Sequence, residues 1–272
     1  MVTQRFIIVF AILHLSTYSV NALGQKSINS TFEPLIIVME QAEAITLEPQ
    51  ITGGTKANPE NWPSALYYEY LGKSCTASVI GPRVILTAAH CIPDGAAAQI
   101  KKSPNDEVAV ECTHHPDYID ADKVADIALC KSNSPINLPG LKRFERVIEN
   151  IEDVNVGSEI TLLGFGCRRY GGGGSTGELF FGLAEVNRLS RGYLVTKGGA
   201  AVCFGDSGGG AFRVFSPLRR GIIGVNSRGD LLTRSFITPF SNSHIVKFLK
   251  DYVSQYSLKI CGINLVGDSC VQ

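Results

Sequence analysis

The sequence has no surplus of either charge: 25 Lys and Arg face 25 Asp and Glu. A general electrostatic grip on nucleic acid or on an anionic membrane needs a basic excess, so neither partner is expected. Also missing is any apolar run near the roughly 20 residues needed to cross ~30 Å of hydrocarbon. The eight cysteines include no C-x-x-C pair and no Cys/His cluster of zinc type, which argues against a metal site. No internal repeat is evident. The glycine run Gly171 to Gly174 lacks the Gly-Lys-Ser/Thr ending of a phosphate loop and reads as a mobile surface loop. Charged residues make up only 18% against 44% hydrophobic, so the chain can bury a core and is not a disordered polymer.

What is present begins with an export signal. Arg5 precedes an apolar run from Phe6 to Leu15, and Val20-Asn21-Ala22 offers a small-residue cleavage site, so residues 1–22 are expected to be removed. An even cysteine count suits that secreted setting, where disulfides persist. Residues 23–50 carry a short apolar run, Leu35 to Met39, then acidic residues, and no cysteine; they read as a pro-segment. Asn29-Ser30-Thr31 is a glycosylation sequon by pattern alone.

From Ile51 onward, short β-type runs alternate with Gly, Pro, Asn and Asp. These runs are Ala65 to Tyr70, Ala77 to Thr87, Val108 to Cys112, Ile127 to Cys130, Glu159 to Phe165, Gly192 to Thr196, Gly221 to Asn226 and Ser235 to Thr238. Such spacing predicts an all-β sandwich or barrel. Near the end Ile245, Phe248, Leu249 and Tyr252 repeat at helical spacing behind Asn242 and Ser243, which predicts a capped C-terminal helix packed on the β body.

Three strings carry chemistry: Thr87-Ala88-Ala89-His90-Cys91, Ala125-Asp126-Ile127-Ala128-Leu129 and Gly205-Asp206-Ser207-Gly208-Gly209. Asp or Ser beside Gly is by itself usually a turn. A hydroxyl, however, needs a base to become a nucleophile at neutral pH, and that base needs a carboxylate to fix its tautomer. His90, Asp126 and Ser207 could fill those roles. In this order along the chain the strings resemble the chymotrypsin-like, or trypsin-like, serine protease family. Ile51-Thr52-Gly53-Gly54, Trp62-Pro63, the His115 to Tyr118 stretch and Gly164-Phe165-Gly166 extend the resemblance over residues 51–272.

The resemblance implies two Greek-key β-barrels and a C-terminal α-helix, residues 51–150 forming the first barrel with His90 and Asp126, and residues 151–272 the second with Ser207. It implies an acyl-enzyme on Ser207 with no cofactor, an oxyanion hole from the amides of Gly205 and Ser207, and a zymogen activated when a new Ile51 amine pairs with Asp206. It implies the bridge Cys75 to Cys91; Cys112 and Cys130, on adjacent antiparallel strands leading away from Asp126, are expected to bond across them, and Cys261 and Cys270 to close a small C-terminal loop. The family's usual partner for Cys203 is absent, so Cys167 is expected to take that place. His114 and His115 are rival bases by type, but by position they suit a structural role. Partners implied are protein or peptide substrates and an activating protease, the mature protein being a monomer free of membrane.

Several residues depart from the family pattern. Gln50, where Lys or Arg is usual, precedes Ile51, so the activating cut is not expected to be tryptic. Gly224-Val225-Asn226 stands where the substrate-pairing strand is expected to read Ser-Trp-Gly. The stretch from His90 to His115 is shorter than in relatives with a calcium loop, so no calcium is expected. Ala201 and Val202 occupy the floor of the specificity pocket in place of an aspartate, with Asn226 and Ser235 on its walls. The expected substrate therefore places a small or medium apolar residue before the cut, unless Asp230 reaches the pocket. Arg228-Gly229-Asp230 spells an adhesion tripeptide, a match that arises readily by chance. Two alternatives fit the residues less well. An inert binding module of this fold would usually have lost one of the three residues, and an esterase with Gly-x-Ser-x-Gly runs Ser, Asp, His along the chain, the reverse order.

Overall fold

The computed structural model describes residues 51 and 53–272 apart from 104–105, 122–123, 141–142, 191, 217–218 and 271–272. The expected signal, pro-segment, Asn29 sequon and Gln50 lie outside the described residues. A two-residue strand β1 (Thr55–Lys56) leads into β2 (Ala65–Tyr70), β3 (Lys73–Gly81), β4 (Val84–Thr87), β5 (Ala97–Ser103), β6 (Asp106–His114) and β7 (Ala128–Ser132). Strands β8 (Glu159–Gly164), β9 (Phe180–Ser190), β10 (Tyr193–Gly199), β11 (Gly210–Ser216), β12 (Arg219–Gly229) and β13 (Ser235–Pro239) follow, and helix α1 (Ser243–Gln255) comes after them.

These strands form two six-stranded antiparallel barrels. The first closes in the order β2-β3-β4-β7-β6-β5; the second runs β9-β10-β13-β12-β11-β8 and closes through β8 and β9. Both barrels therefore use the same permutation of their six strands, the chymotrypsin-like fold. Thr55 and Lys56, expected in the first barrel, instead pair with Phe181 and Phe180 of β9, so these two residues lie on the second barrel. Ile51 goes further, packing fully buried with Ile160, Leu162, Phe180 and Ile237 in that barrel's core.

Alternation drives the pairing. Along β6, Val108, Val110 and Cys112 turn inward while Ala109 and Glu111 face out, the two-residue period of a half-buried strand. The expected single run Ala77 to Thr87 is two strands, β3 and β4, turned at Pro82 and Arg83, where proline cannot donate to a ladder. The terminal helix follows its pattern: the Asn242 side chain accepts from the His244 amide at 3.0 Å, and Ile245, Phe248, Leu249, Tyr252 and Val253 are buried. This face packs on the first barrel, where the Tyr252 hydroxyl donates to the Leu129 carbonyl. Among the described residues no helix is long and apolar enough to cross a membrane.

All eight cysteines are paired: Cys75 with Cys91, Cys112 with Cys130, Cys167 with Cys203, and Cys261 with Cys270. The second bridge follows from register, since Cys112 and Cys130 are directly opposed on β6 and β7.

Candidate active site

The three strings meet between the barrels. His90 lies on a short turn after β4, tied to β3 by the Cys75 bridge. Asp126 lies just before β7, behind Ala125, whose φ of 51° is left-handed; a non-glycine residue there stores strain that the surrounding fold must hold. Asp126 is fully buried and its carboxylate accepts three bonds. The His90 amide donates to Oδ1 at 2.9 Å, His90 Nδ1 to Oδ2 at 2.7 Å, and the Ser227 hydroxyl to Oδ2 at 2.6 Å. With Nδ1 committed to the carboxylate, Nε2 is the imidazole nitrogen left to exchange a proton.

Ser207 sits on the turn between Cys203 and β11. The Thr76 amide donates to its carbonyl at 2.9 Å, and Cys91 Sγ lies 3.7 Å from the same oxygen, so the histidine and serine turns are pinned to each other. In this state Ser207 Oγ donates to the Ser227 carbonyl at 3.2 Å rather than to His90; a side-chain rotation is needed to align it with Nε2.

The glycines of this turn are dictated by space. Gly208 has φ +85°, and a Cβ on it would lie 2.2 Å from both the Thr76 carbonyl and Thr87 Oγ1. Gly205 has φ +98°, and its Cβ would come within 2.9 Å of Gly166. Such backbone is open to glycine and costly for other residues. Beneath the turn runs a hydroxyl chain in which Tyr68 meets Thr87, Thr87 donates to the Thr76 carbonyl, and Thr76 donates to the Gly205 carbonyl at 2.7 Å. Burial holds the Tyr68 phenol well above its usual pKa; the Thr87 bond opposes this, and the Asp126 charge adds to it.

Asp206 is buried entirely. Its Oδ1 accepts from the Gly166 amide at 2.8 Å and its Oδ2 from the Cys203 amide at 2.9 Å. Burial pushes its pKa up to about 7, the two amide bonds offsetting only part of the loss of hydration. Among the described residues no cationic side chain pairs with it. Gly164 and Gly166 crowd this carboxylate so closely that a Cβ on either would come within 2.4 Å of it.

The strand beside the nucleophile is displaced from expectation. Ser227-Arg228-Gly229, not Gly224-Val225-Asn226, passes the site, because it is Ser227 whose hydroxyl reaches Asp126 and whose carbonyl meets Ser207. Asn226 is correspondingly not a pocket wall: its Nδ2 donates to the Leu163 carbonyl, its amide to Gly209, and the side chain is buried against β8. On the displaced strand it is Gly229 that approaches Val202: a Cβ there would sit 2.2 Å from the Val202 carbonyl oxygen. The two segments are thus in backbone contact at that level. Ala201, Val202 and Ser235 are buried there, and the Ser235 hydroxyl accepts from the Val202 amide at 2.9 Å.

Asp230 is held in its own loop. Its Oδ1 accepts from the amides of Leu232, Thr233 and Arg234 at 2.8 to 2.9 Å. Partial burial raises its pKa, but those three bonds and the Arg234 charge outweigh it, and the net shift is downward. The rival histidines are also occupied, His114 Nε2 by the Ile92 carbonyl and buried His115 by the His244 carbonyl and the Asp117 amide. The glycine run expected to be mobile is docked: Gly171 donates to the Leu231 carbonyl, and Gly172 lies under the exposed Phe204 ring. Cys75, His90 and Cys91 are the one metal-like cluster among the described residues, but the bridge between the two sulfurs leaves no thiolate to bind.

Two antiparallel barrels of one strand order, with a histidine–carboxylate pair from the first facing a Gly-Asp-Ser-Gly turn from the second, define the chymotrypsin-like class. The family model described as Trypsin matches residues 51–244, and the chain belongs to that family. It is 28% identical over 187 residues to brachyurin of Leptuca pugilator, a match covering 58% of this chain and 80% of the relative. It is 28% identical over 152 residues to phenoloxidase-activating factor 1 of Holotrichia diomphalia, covering 43% of this chain and 42% of the relative. Tryptase of Mus musculus is 31% identical over 103 residues, covering 32% and 38% respectively. The chain thus spans most of the first relative and less than half of the other two.

Proposed function

We propose that the protein is a secreted serine endopeptidase, made as a zymogen, that cleaves after small or medium apolar residues. The carrying observation is the His90 Nδ1 contact with buried Asp126, on a turn pinned to that of Ser207. His90 Nε2 takes the Ser207 proton as Oγ attacks the scissile carbonyl, and the imidazolium that forms is stabilised by Asp126. The Gly205 and Ser207 amides receive the charge of the tetrahedral intermediate. His90 then protonates the leaving amine, and water repeats the attack on the acyl-enzyme.

Three features support a resting precursor. Ser207 is turned to Ser227, the pocket walls touch at Gly229 and Val202, and Asp206 is buried with no cationic partner among the described residues. Cleavage before Ile51, by a protease that accepts Gln50, supplies an amine that pairs with Asp206 and re-aims the turn carrying the two amides. Once open, the pocket presents Ala201 and Val202 to the substrate. A buried Lys or Arg would lose hydration there and gain no counter-charge.

The test is a set of peptides differing only at the residue before the cut, compared by kcat/KM on protein cleaved at Ile51. Ala, Val and Leu are expected to lead. Arg or Lys exceeding them tenfold would refute the pocket assignment and make Asp230 the first residue to mutate.

A further inference from the structure

The strand past the nucleophile has one open edge. Strand β11 pairs with β12 only as far as Val225, and the backbone of Asn226 is taken by Gly208 and Gly209. Beyond that point Arg228 and Gly229 pair with Phe236 and Ser235 of β13 on one side, and among the described residues no strand covers the other. An extended peptide can add to such an edge through main-chain bonds, its alternate side chains selecting pockets. Ser227 lies level with Ser207, so a peptide with its scissile carbonyl at Ser207 runs its preceding residues alongside Arg228.

A cavity of about 470 Å³ opens at this place, lined by Arg188, Arg228, Tyr193, Phe236 and Val124 among others. It lies between the segments that carry the active site: Val124 is two residues before Asp126, and Arg228 directly follows Ser227. The Arg228 guanidinium carbon is 5.1 Å from the Tyr193 ring centre and 5.0 Å from that of Phe236. The two rings themselves pack edge to face. A guanidinium resting on aromatic faces is held in place yet keeps its in-plane N–H donors for a planar acceptor. Among the described residues no carboxylate lines the cavity, and neither Arg188 nor Arg228 has an acidic partner. Two guanidinia with no acidic partner among the described residues therefore face a space that substrate would enter.

We infer that this cavity is a subsite for an acidic side chain, Asp or Glu, carried two to four residues before the scissile bond. The inference rests on the protease reading and adds a second determinant to it, an anionic anchor upstream of a small apolar residue. A carboxylate reaching between Arg188 and Arg228 forms charge-assisted bonds of the bidentate kind, while a Lys or Arg at the same place meets like charge.

The experiment uses the processed protein and fluorogenic peptides with Ala before the cut and Glu, Gln or Lys placed in turn at the second, third and fourth upstream positions. At low ionic strength Glu is expected to exceed Gln in kcat/KM by about tenfold at one of these positions, with Lys below both. The ratio should fall toward one in 1 M NaCl, where charges are screened over about 3 Å. It should also fall toward one in Arg228→Gln and in Arg188→Gln, and be largely retained in Arg228→Lys. The salt arm needs no variant and so stands if a substitution impairs folding. Cleavage of all peptides with equal efficiency at every position overturns the subsite and leaves the protease reading standing. Cleavage of none, by protein whose start at Ile51 has been verified, overturns both.

Discussion

With Asp206 buried and no cation beside it among the described residues, the stability of the proposed precursor depends on pH in a direction that can be worked out. Asp206 has a folded-state pKa of about 7 against an ordinary value of 3.8. The folded precursor therefore holds this proton more tightly than the unfolded chain does. Near pH 4 the group costs nothing; between pH 4 and 7 the unfolded chain ionises freely while the folded one resists, and the penalty grows. About three pKa units at 1.36 kcal/mol each give roughly 4 kcal/mol lost by pH 8. On the proposed activation, cleavage before Ile51 supplies a cation to Asp206, so the processed form is expected to recover most of that loss. The amine's own pKa, near 7.7 to 8.0 when free, is raised by the pairing; its contribution is present below the free value and lost as pH rises through the folded one. The gap in stability between processed and precursor forms should therefore open from pH 4 to 7, peak near pH 7 to 8 and close again at alkaline pH, as should activity. For a domain of this size each kcal/mol moves Tm by about 2 to 4 °C, so the peak gap is expected near 10 °C. Thermal melts of both forms from pH 4.5 to 9.5 read it directly. A gap that is constant with pH, or largest at pH 4.5, would refute the reasoning.

Ser207→Ala and His90→Ala should each abolish the acyl-enzyme route, and because the residues act as a unit the double variant should be hardly worse than either single one; strictly additive losses in kcat would count against the shared mechanism. Ser227→Ala removes one of three donors to Asp126 and should lower kcat/KM by about tenfold, a bond to a charged group being worth roughly 1.5 to 3 kcal/mol, with no change in which residue is preferred before the cut. Gly208→Ala drives a Cβ against the Thr76 carbonyl at a left-handed φ and should cost roughly 2 to 4 kcal/mol in urea denaturation.

What could be read from the chain alone depended on how local the signal was. The strings around His90, Asp126 and Ser207 are short because the chemistry needs its groups on tight turns, and the helix declared itself through its period and Asn242. Strands such as β2 and β8, whose apolar and aromatic runs are bounded by turn residues, were legible for the same reason. By contrast β5 is built of Ala, Gln and Lys, β9 is interrupted by Gly182, and β11 begins at the end of a glycine run. Their strand character comes from partners elsewhere in the barrel, which composition does not reveal. The common strand order of the two barrels left no trace of repetition, since register constrains which positions face inward and not which residues fill them.

The three-residue displacement of the substrate strand has the same origin. Ser-x-Gly was present as Ser227-Arg228-Gly229, but what identifies it is a hydroxyl bond to Asp126, 101 positions earlier in the chain. Gly224 to Asn226, following Ile222 and Ile223, continued an obvious strand and drew the register with it. Gly171 to Gly174 carried the composition of a free loop; its anchors, the Leu231 carbonyl and the Phe204 ring, are likewise distant in sequence.

The central claim, a serine protease switched on by release of the Ile51 amine, is tested most directly by mass spectrometry after exposure to a serine-directed phosphonate with a small apolar side chain. Precursor and protein cleaved before Ile51 are treated side by side. A single covalent adduct mapped to Ser207 in the cleaved protein, and none in the precursor or in His90→Ala, is the predicted result; equal labelling of precursor and cleaved protein, an adduct on another residue, or no adduct after verified cleavage would contradict it.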